Sequence, residues 1–185
     1  MLTPEQRARL LAVARASVRH AVGTGPKPDL TSDDPDLTRK SGAFVTLKAG
    51  GELRGCIGHI EPHLPLIRTV HEMAQAAALE DPRFPPVTAR EEPGISIEIS
   101  VMSPIEPVPD LELIEVGRHG LVVEQGPYRG LLLPQVAPEW GWDREEFLQH
   151  TCRKAGLPLD AYKRGAKVYW FEAEVFGEDG EGNGC

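Results

Sequence analysis

Cysteine is scarce in this chain: Cys56, Cys152 and Cys185 are the only three in 185 residues, an odd and widely spaced set. Such a set offers no disulfide framework, suits a reducing cytoplasm and leaves the fold to a hydrophobic core, so no structural cysteine is expected. Basic residues are also in the minority, 20 Lys and Arg against 28 Asp and Glu, for a net charge of -8. Without a basic run, that balance argues against nucleic-acid binding through the phosphate backbone. No apolar run approaches the ~18 residues that span a bilayer, so no membrane segment is expected. The opening MLTPEQ lacks the basic start and apolar stretch of a secretion signal, and the expected location is cytoplasmic. Arg7, Arg9, Arg15 and Arg19 give the first helix the composition of a transit peptide, but the helix cap before it argues against that reading. A single asparagine among 17 prolines and 19 glycines fits stiff loops and a thermophilic source.

What is present is enough apolar material for a core: 41% of residues are hydrophobic, which supports one domain or two closely joined lobes. Thr3, Pro4 and Gln6 form a capping-box start, and Leu11, Ala14, Val18 and Ala21 recur at helical spacing, predicting a helix to about Val22. Gly23 to Asp36 is rich in Gly, Pro and Asp and reads as a loop, a candidate mobile segment. AFVTLK, the turn Ala49-Gly50-Gly51 and ELRGCIG read as a hairpin. A helix follows from about Leu64 or Pro65 to Leu79, stopped at Asp81-Pro82, and ISIEISVM then alternates as a strand. The second half repeats this order. Leu121 to Gln125 and Arg129 to Leu133 form a hairpin, Asp143 caps a helix with Glu146 three residues on, and Val168 to Phe176 is a closing strand. Gly51 stands three residues before Arg54-Gly55, and Gly126 three before Arg129-Gly130. That registration predicts an internal ββαβ duplication in which Leu131 matches Cys56; chance in a short alignment is the competing explanation.

The glycine-flanked string Leu53 to Gly58, LRGCIG, is the leading site candidate. Alternation in a strand puts Arg54 and Cys56 on one face and Leu53 and Ile57 on the core side. A nearby arginine favours thiolate, the nucleophilic form of cysteine. Gly55 and Gly58 leave room for another backbone or a ligand. The plainer reading is an inert, packed cysteine beside bulge glycines. His59 and His63 extend the pattern to C-x2-H-x3-H, but His59 should face away from Cys56 and no fourth ligand is forced into place, so no metal is assigned. His71 reads as an ordinary surface histidine. Asp81 and Arg83 sit in a proline-braced loop, either as a binding pair or as a helix stop with an ion pair. Glu98, on the polar side of its strand, is a candidate general base or simply solvated. Gln135 could donate and accept in a pocket near Trp140 and Trp142, although such tryptophans more often belong to the core. Cys152 reads as packing, and Cys185 ends a Gly-Glu-rich tail expected to be disordered.

The ordered blocks GAFVTL, LRGCIG, DPRFPPV, IEISVMSP, RGLLLPQVA and FLQHTCRKAGL, from about Ser41 to Phe176, resemble the AMMECR family. Its name comes from a chromosomal region linked to Alport syndrome, midface hypoplasia and elliptocytosis, and its bacterial and archaeal members are also called protein A of the AmmeMemoRadiSam system. The motif matches Leu53, Arg54, Gly55, Cys56, Ile57 and Gly58 one for one; where many relatives have tryptophan after KAGL, this chain offers Tyr162. The resemblance implies an α+β fold of two unequal lobes with a cleft and a mostly antiparallel sheet. It implies partners, a Memo-like protein and a radical-SAM enzyme, but no reaction and no cofactor. The expected organisation is a helix and loop over 1–40 packing on the domain, an AMMECR-type domain over 41–176 with lobes of roughly 41–104 and 117–176, and a flexible acidic tail over 177–185. The expected role is an enzyme or enzyme component acting through Cys56, Arg54 and Glu98, with Gly55, Gly58, His59, Asp81, Arg83 and Gln135 binding a small-molecule or protein substrate. The alternative is a non-catalytic binding or adaptor module using the same surface.

Overall fold

The structure, a computed structural model, describes residues 1–179; 180–185, which include Cys185 and most of the expected tail, lie outside the described residues. In chain order the elements are α1 (Pro4–Ala21), α2 (Pro35–Thr38), β1 (Ala43–Ala49), β2 (Glu52–His59), α3 (Leu66–Leu79), β3 (Ile95–Met102), β4 (Glu106–Pro107), β5 (His119–Gln125), β6 (Tyr128–Leu132), α4 (Val136–Trp140), α5 (Arg144–Lys154) and β7 (Lys167–Gly177). The protein is α+β with a mostly antiparallel sheet. No helix of the described residues is long and apolar enough to cross a membrane.

The chain divides into two compact units, one of 1–102 together with the segment from Glu174 on, the other of 103–173, so that β7 contributes to both. In the first unit the strand order is β2-β1-β3-β7. α1 starts where expected, with Thr3 and Gln6 closing a capping box, and buries Leu10, Val13, Ala14 and Val18. It packs on α3 and β3, and its core continues through Val45, Leu47, Ile97 and Ile99. The loop after α1 is tied back to it: the Gln6 side-chain amide donates to Asp34, and Arg9 donates to the Asp29 carbonyl. Within this stretch Pro35 opens α2, a short helix the loop composition concealed, capped by Asp34 and burying Leu37.

His71 is not an ordinary surface residue. It lies half-buried on α3 with Nδ1 2.8 Å from Ser17 Oγ of α1, and because that hydroxyl donates to the Val13 carbonyl it accepts from the ring.

The second unit repeats the plan with β7-β5-β6 and α5, whose Asp143–Glu146 capping box forms as expected. Leu121, Phe147 and Leu148 anchor its core, and Cys152 is fully buried and free. Registers bear out the duplication. Leu47 pairs with Gly55 in the first hairpin as Val123 pairs with Gly130 in the second. In both, the glycine lies directly under the C-terminal end of the unit's helix. A Cβ on Gly55 would overlap the Ala77 carbonyl oxygen, and one on Gly130 would overlap the backbone at Lys154–Ala155. Glycine is required there for close approach of strand and helix.

Candidate functional site around Cys56

One difference separates the hairpins, and it overturns the expected parity of LRGCIG. The β1–β2 register shifts between Leu47 and Lys48: Leu47 pairs with Gly55 but Lys48 pairs with Leu53, leaving Arg54 as an extra, bulged residue. A bulge resets alternation. Leu53 therefore opposes Lys48, on the Cys56 side of the sheet, and is 40% exposed instead of in the core. Ile57 keeps its expected contact with the core.

The Arg54 guanidinium is engaged by Glu91 (3.2 Å), by the Pro86 carbonyl and by the face of Phe84. Glu91 in turn accepts from the Thr88 N–H and hydroxyl. Those bonds, the backbone one first, together with Arg54 pull its carboxyl down to about 2.

The groups that do accompany Cys56 come from the neighbouring strands. Thr46 of β1 stands between Cys56 of β2 and Glu98 of β3 in one cross-strand row. All three are buried. The Thr46 hydroxyl donates to Cys56 Sγ at 3.3 Å, and the Lys48 ammonium donates to Glu98 Oε2 at 2.9 Å. The opposite face of the same strands is the apolar core of Val45, Leu47, Ile97 and Ile99, so the row concentrates buried polar groups on one side. Thr46 and Lys48 do not stand out in the sequence. The signal was in AFVTLK, whose alternation puts Thr46 and Lys48 on one face, but it could be read only once β1 was known to lie between β2 and β3.

Asp81 and Arg83 hold the free edge of β2. The Cys56 N–H donates to Asp81 Oδ2 at 2.9 Å, and Arg83 donates to the Cys56 carbonyl at 3.3 Å while pairing with Asp81 at 2.7 Å. Both backbone groups of one edge residue are thereby satisfied by one ion pair, a local answer to the unpaired edge. The Arg83 guanidinium holds the buried Asp81 carboxyl far below the ordinary carboxylate range; burial opposes this, and the Cys56 N–H reinforces it.

The remaining candidates are more dispersed. The space over Gly58 is taken by the Phe44 ring, and that over Gly55 by α3. His59 has Nδ1 2.8 Å from the Glu61 carbonyl oxygen, with its ring 5.6 Å from that of His63. Gln135 belongs to the second unit, where it is the N-cap residue of α4. Trp140 is 71% exposed, contrary to a core role; it stacks on Trp142, which stacks on His150.

The expectation of no disulfide is corrected as well, because Cys56 is disulfide-bonded. An odd, sparse set of cysteines excludes a framework of several bridges but not a single one.

Comparison with known proteins places these residues in company. The AMMECR1 family model matches residues 11–176. A protein of the thermophilic archaeon Methanothermobacter thermautotrophicus is 48% identical over 97% of both chains, and one of Methanocaldococcus jannaschii is 46% identical over 96% of this chain and 92% of its own. The crystal structure of an uncharacterized protein from Pyrococcus horikoshii superposes with a TM-score of 0.76 at 43% identity, covering 96% of this chain and 93% of that one.

Proposed function

Since the chain belongs to the AMMECR1 family, we propose that it is an enzyme or enzyme component whose reacting group is the Cys56 thiol in its reduced form. The observation that supports this most is the buried row of Cys56, Thr46 and Glu98 with Lys48, set on a sheet whose duplicate carries Leu131, Val122 and Tyr169 in the same register. Burying polar groups costs free energy unless they are paired, and here each has a partner. A hydroxyl donating to sulfur favours the thiolate, the nucleophile. Lys48 with Glu98 is the pair fit to move a proton within the row. Asp81 and Arg83 are positioning residues that fix the backbone of Cys56.

In this reading Lys48 takes the place of Arg54 as the cation of the site. A cytoplasmic setting, which keeps thiols reduced, belongs to the same reading. Action beside a Memo-like protein and a radical-SAM enzyme rests on the family resemblance alone. The test is alkylation of the reduced, folded protein by iodoacetamide, read at Cys56 by mass spectrometry. We expect labelling at neutral pH faster than that of free cysteine; a rate equal to that of free cysteine, or no labelling while folded, removes Cys56 as the reacting group.

One observation favours the alternative of a non-catalytic binding or adaptor module. Leu53 is 40% exposed on the Cys56 face, and the Arg83 side chain is 56% exposed at the edge of the same strand, an apolar and a cationic group open to a partner. On that reading Cys56→Ser leaves partner binding intact while Leu53→Ala weakens it, whereas a reacting thiol is lost with Cys56→Ser.

A further inference from the structure

A second cluster, wholly within residues 103–173, takes no part in the Cys56 row. At the start of β5 a pocket of about 530 Å³ opens between β7 and the segment joining β3 to β5. His119 forms part of its wall and is more than nine-tenths buried. Its Nδ1 accepts the Glu115 N–H at 3.0 Å, so the neutral ring carries its proton on Nε2. The facing carboxylate, Glu172 Oε1, is 3.7 Å from Nε2, beyond hydrogen-bond length. The one lone pair of the neutral ring is thus occupied, which excludes His119 as a general base and leaves its Nε2–H on the pocket side, facing Glu172 from beyond hydrogen-bond length. Burial, with Arg118 adding to it, lowers the His119 pKa and keeps the ring neutral at pH 7.

The remaining walls are acidic and aromatic. Arg118 spans Glu115 at 2.9 Å and Glu172 at 3.0 Å, so one guanidinium serves two carboxylates. Glu106 lies directly opposite Trp170 in the β4–β7 pairing and has no cationic partner among the described residues. Three carboxylates against one guanidinium leave the pocket net negative. Trp170 stands beside His119 with ring centroids 4.4 Å apart, and Leu113 and Pro104 supply apolar surface.

We infer that this pocket binds an alkylammonium or guanidinium group on an apolar stem, with a carbonyl oxygen placed to accept from His119 Nε2. That is the chemistry of a Lys or Arg residue of a peptide, and in part that of a free amine. The cation meets Glu106 and Glu172 beside the Trp170 face, and the stem lies on Leu113 and Pro104. Nothing in this assignment depends on the reactivity of Cys56.

The test titrates the full chain with N-acetyl-arginine methylamide, with agmatine, which lacks the carbonyl, and with acetate, following the Trp170 indole N–H and the His119 ring C–H by NMR. Saturable shifts with the capped arginine are expected, weakened at least tenfold in Glu106→Gln and in Glu172→Gln. The first variant alters an exposed residue without an ion-pair partner, so it reads binding even if the second disturbs the Arg118 bridge. If agmatine moves Trp170 alone and binds at least tenfold more weakly than the capped arginine, the source is a peptide; equal affinity points to a free amine. The inference is overturned by the absence of a saturable shift, by affinity unchanged in Glu106→Gln, or by acetate binding as well as the cations.

Discussion

The two hairpins share a backbone plan and differ in what lines one face. In each, a glycine lies under the unit's helix, and a charged residue two positions along the middle strand reaches diagonally to the third: Lys48 to Glu98 in the first, Glu124 to Tyr169 in the second, each at 2.9 Å. The row beside that contact is Cys56, Thr46 and Glu98 in one and Leu131, Val122 and Tyr169 in the other. The units share the glycine under the helix and the diagonal contact, whereas the Cys56 sulfur and the Thr46 hydroxyl belong to the first row alone. The bulge at Arg54 is likewise confined to the first hairpin: the second runs in unbroken register, with Arg129 opposite Glu124.

The shared part should be the least tolerant of change. Gly55→Ala and Gly130→Ala each drive a Cβ into helix backbone, and a loss of about 3 kcal/mol or more is expected for both in urea unfolding. A loss in only one of them would mean that the units do not use their glycines alike. Next comes the edge clamp, described only in the first unit. Asp81→Ala leaves the Cys56 N–H without its acceptor, at a cost of about 1–3 kcal/mol. Because the Asp81 carboxyl is held low in the folded state, its contribution is fully present above the ordinary value of 3.8 and disappears as pH falls through the folded-state value. An Asp81→Ala protein whose stability falls as steeply in acid as the parent's would contradict that account.

A smaller effect comes from converting one row towards the other. Thr46→Val imitates Val122 and should cost about 1 kcal/mol while slowing alkylation of reduced Cys56. Unchanged labelling would separate the hydroxyl from the chemistry. The smallest effect compares a histidine from each unit. His71 and His119 are both lowered by burial as the first cause, so both rings should titrate below 6.5 in NMR. The sign follows: the unfolded chain takes up these protons first, so stability decreases as pH drops from about 6.5 through the folded-state values. A midpoint at or above 6.5 for either ring would show that burial does not dominate there.

The sequence was most legible where a local rule acts alone. Capping boxes at Thr3 and Asp143, the glycine turn at Gly50-Gly51, the alternation of ISIEISVM and the matched spacing of Arg54-Gly55 and Arg129-Gly130 all became elements as expected. Asp81 and Arg83 stand out in the sequence because prolines brace their loop, and they do meet at Cys56. The failures came from long-range pairing. A bulge is invisible until the partner strand is known, so alternation alone puts Leu53 in the core and Arg54 beside the thiol. Thr46 and Lys48 join Cys56 and Glu98 only because β1 lies between their strands, which no local pattern shows. The burial of His71 and the exposure of Trp140 follow from what packs on a helix face or a short turn, not from residue type.

The claim that the first row activates its thiol can be tested inside one molecule by giving the second row a thiol too. In Leu131→Cys, after reduction and with fold confirmed, iodoacetamide labelling is timed at pH 7 at both hairpin positions, with Cys152, whose thiol burial pushes up, as the buried reference. The account predicts alkylation at Cys56 at least tenfold faster than at position 131. Equal rates, or faster reaction at position 131, would contradict it and leave Cys56 as the packing residue its twin Leu131 suggests.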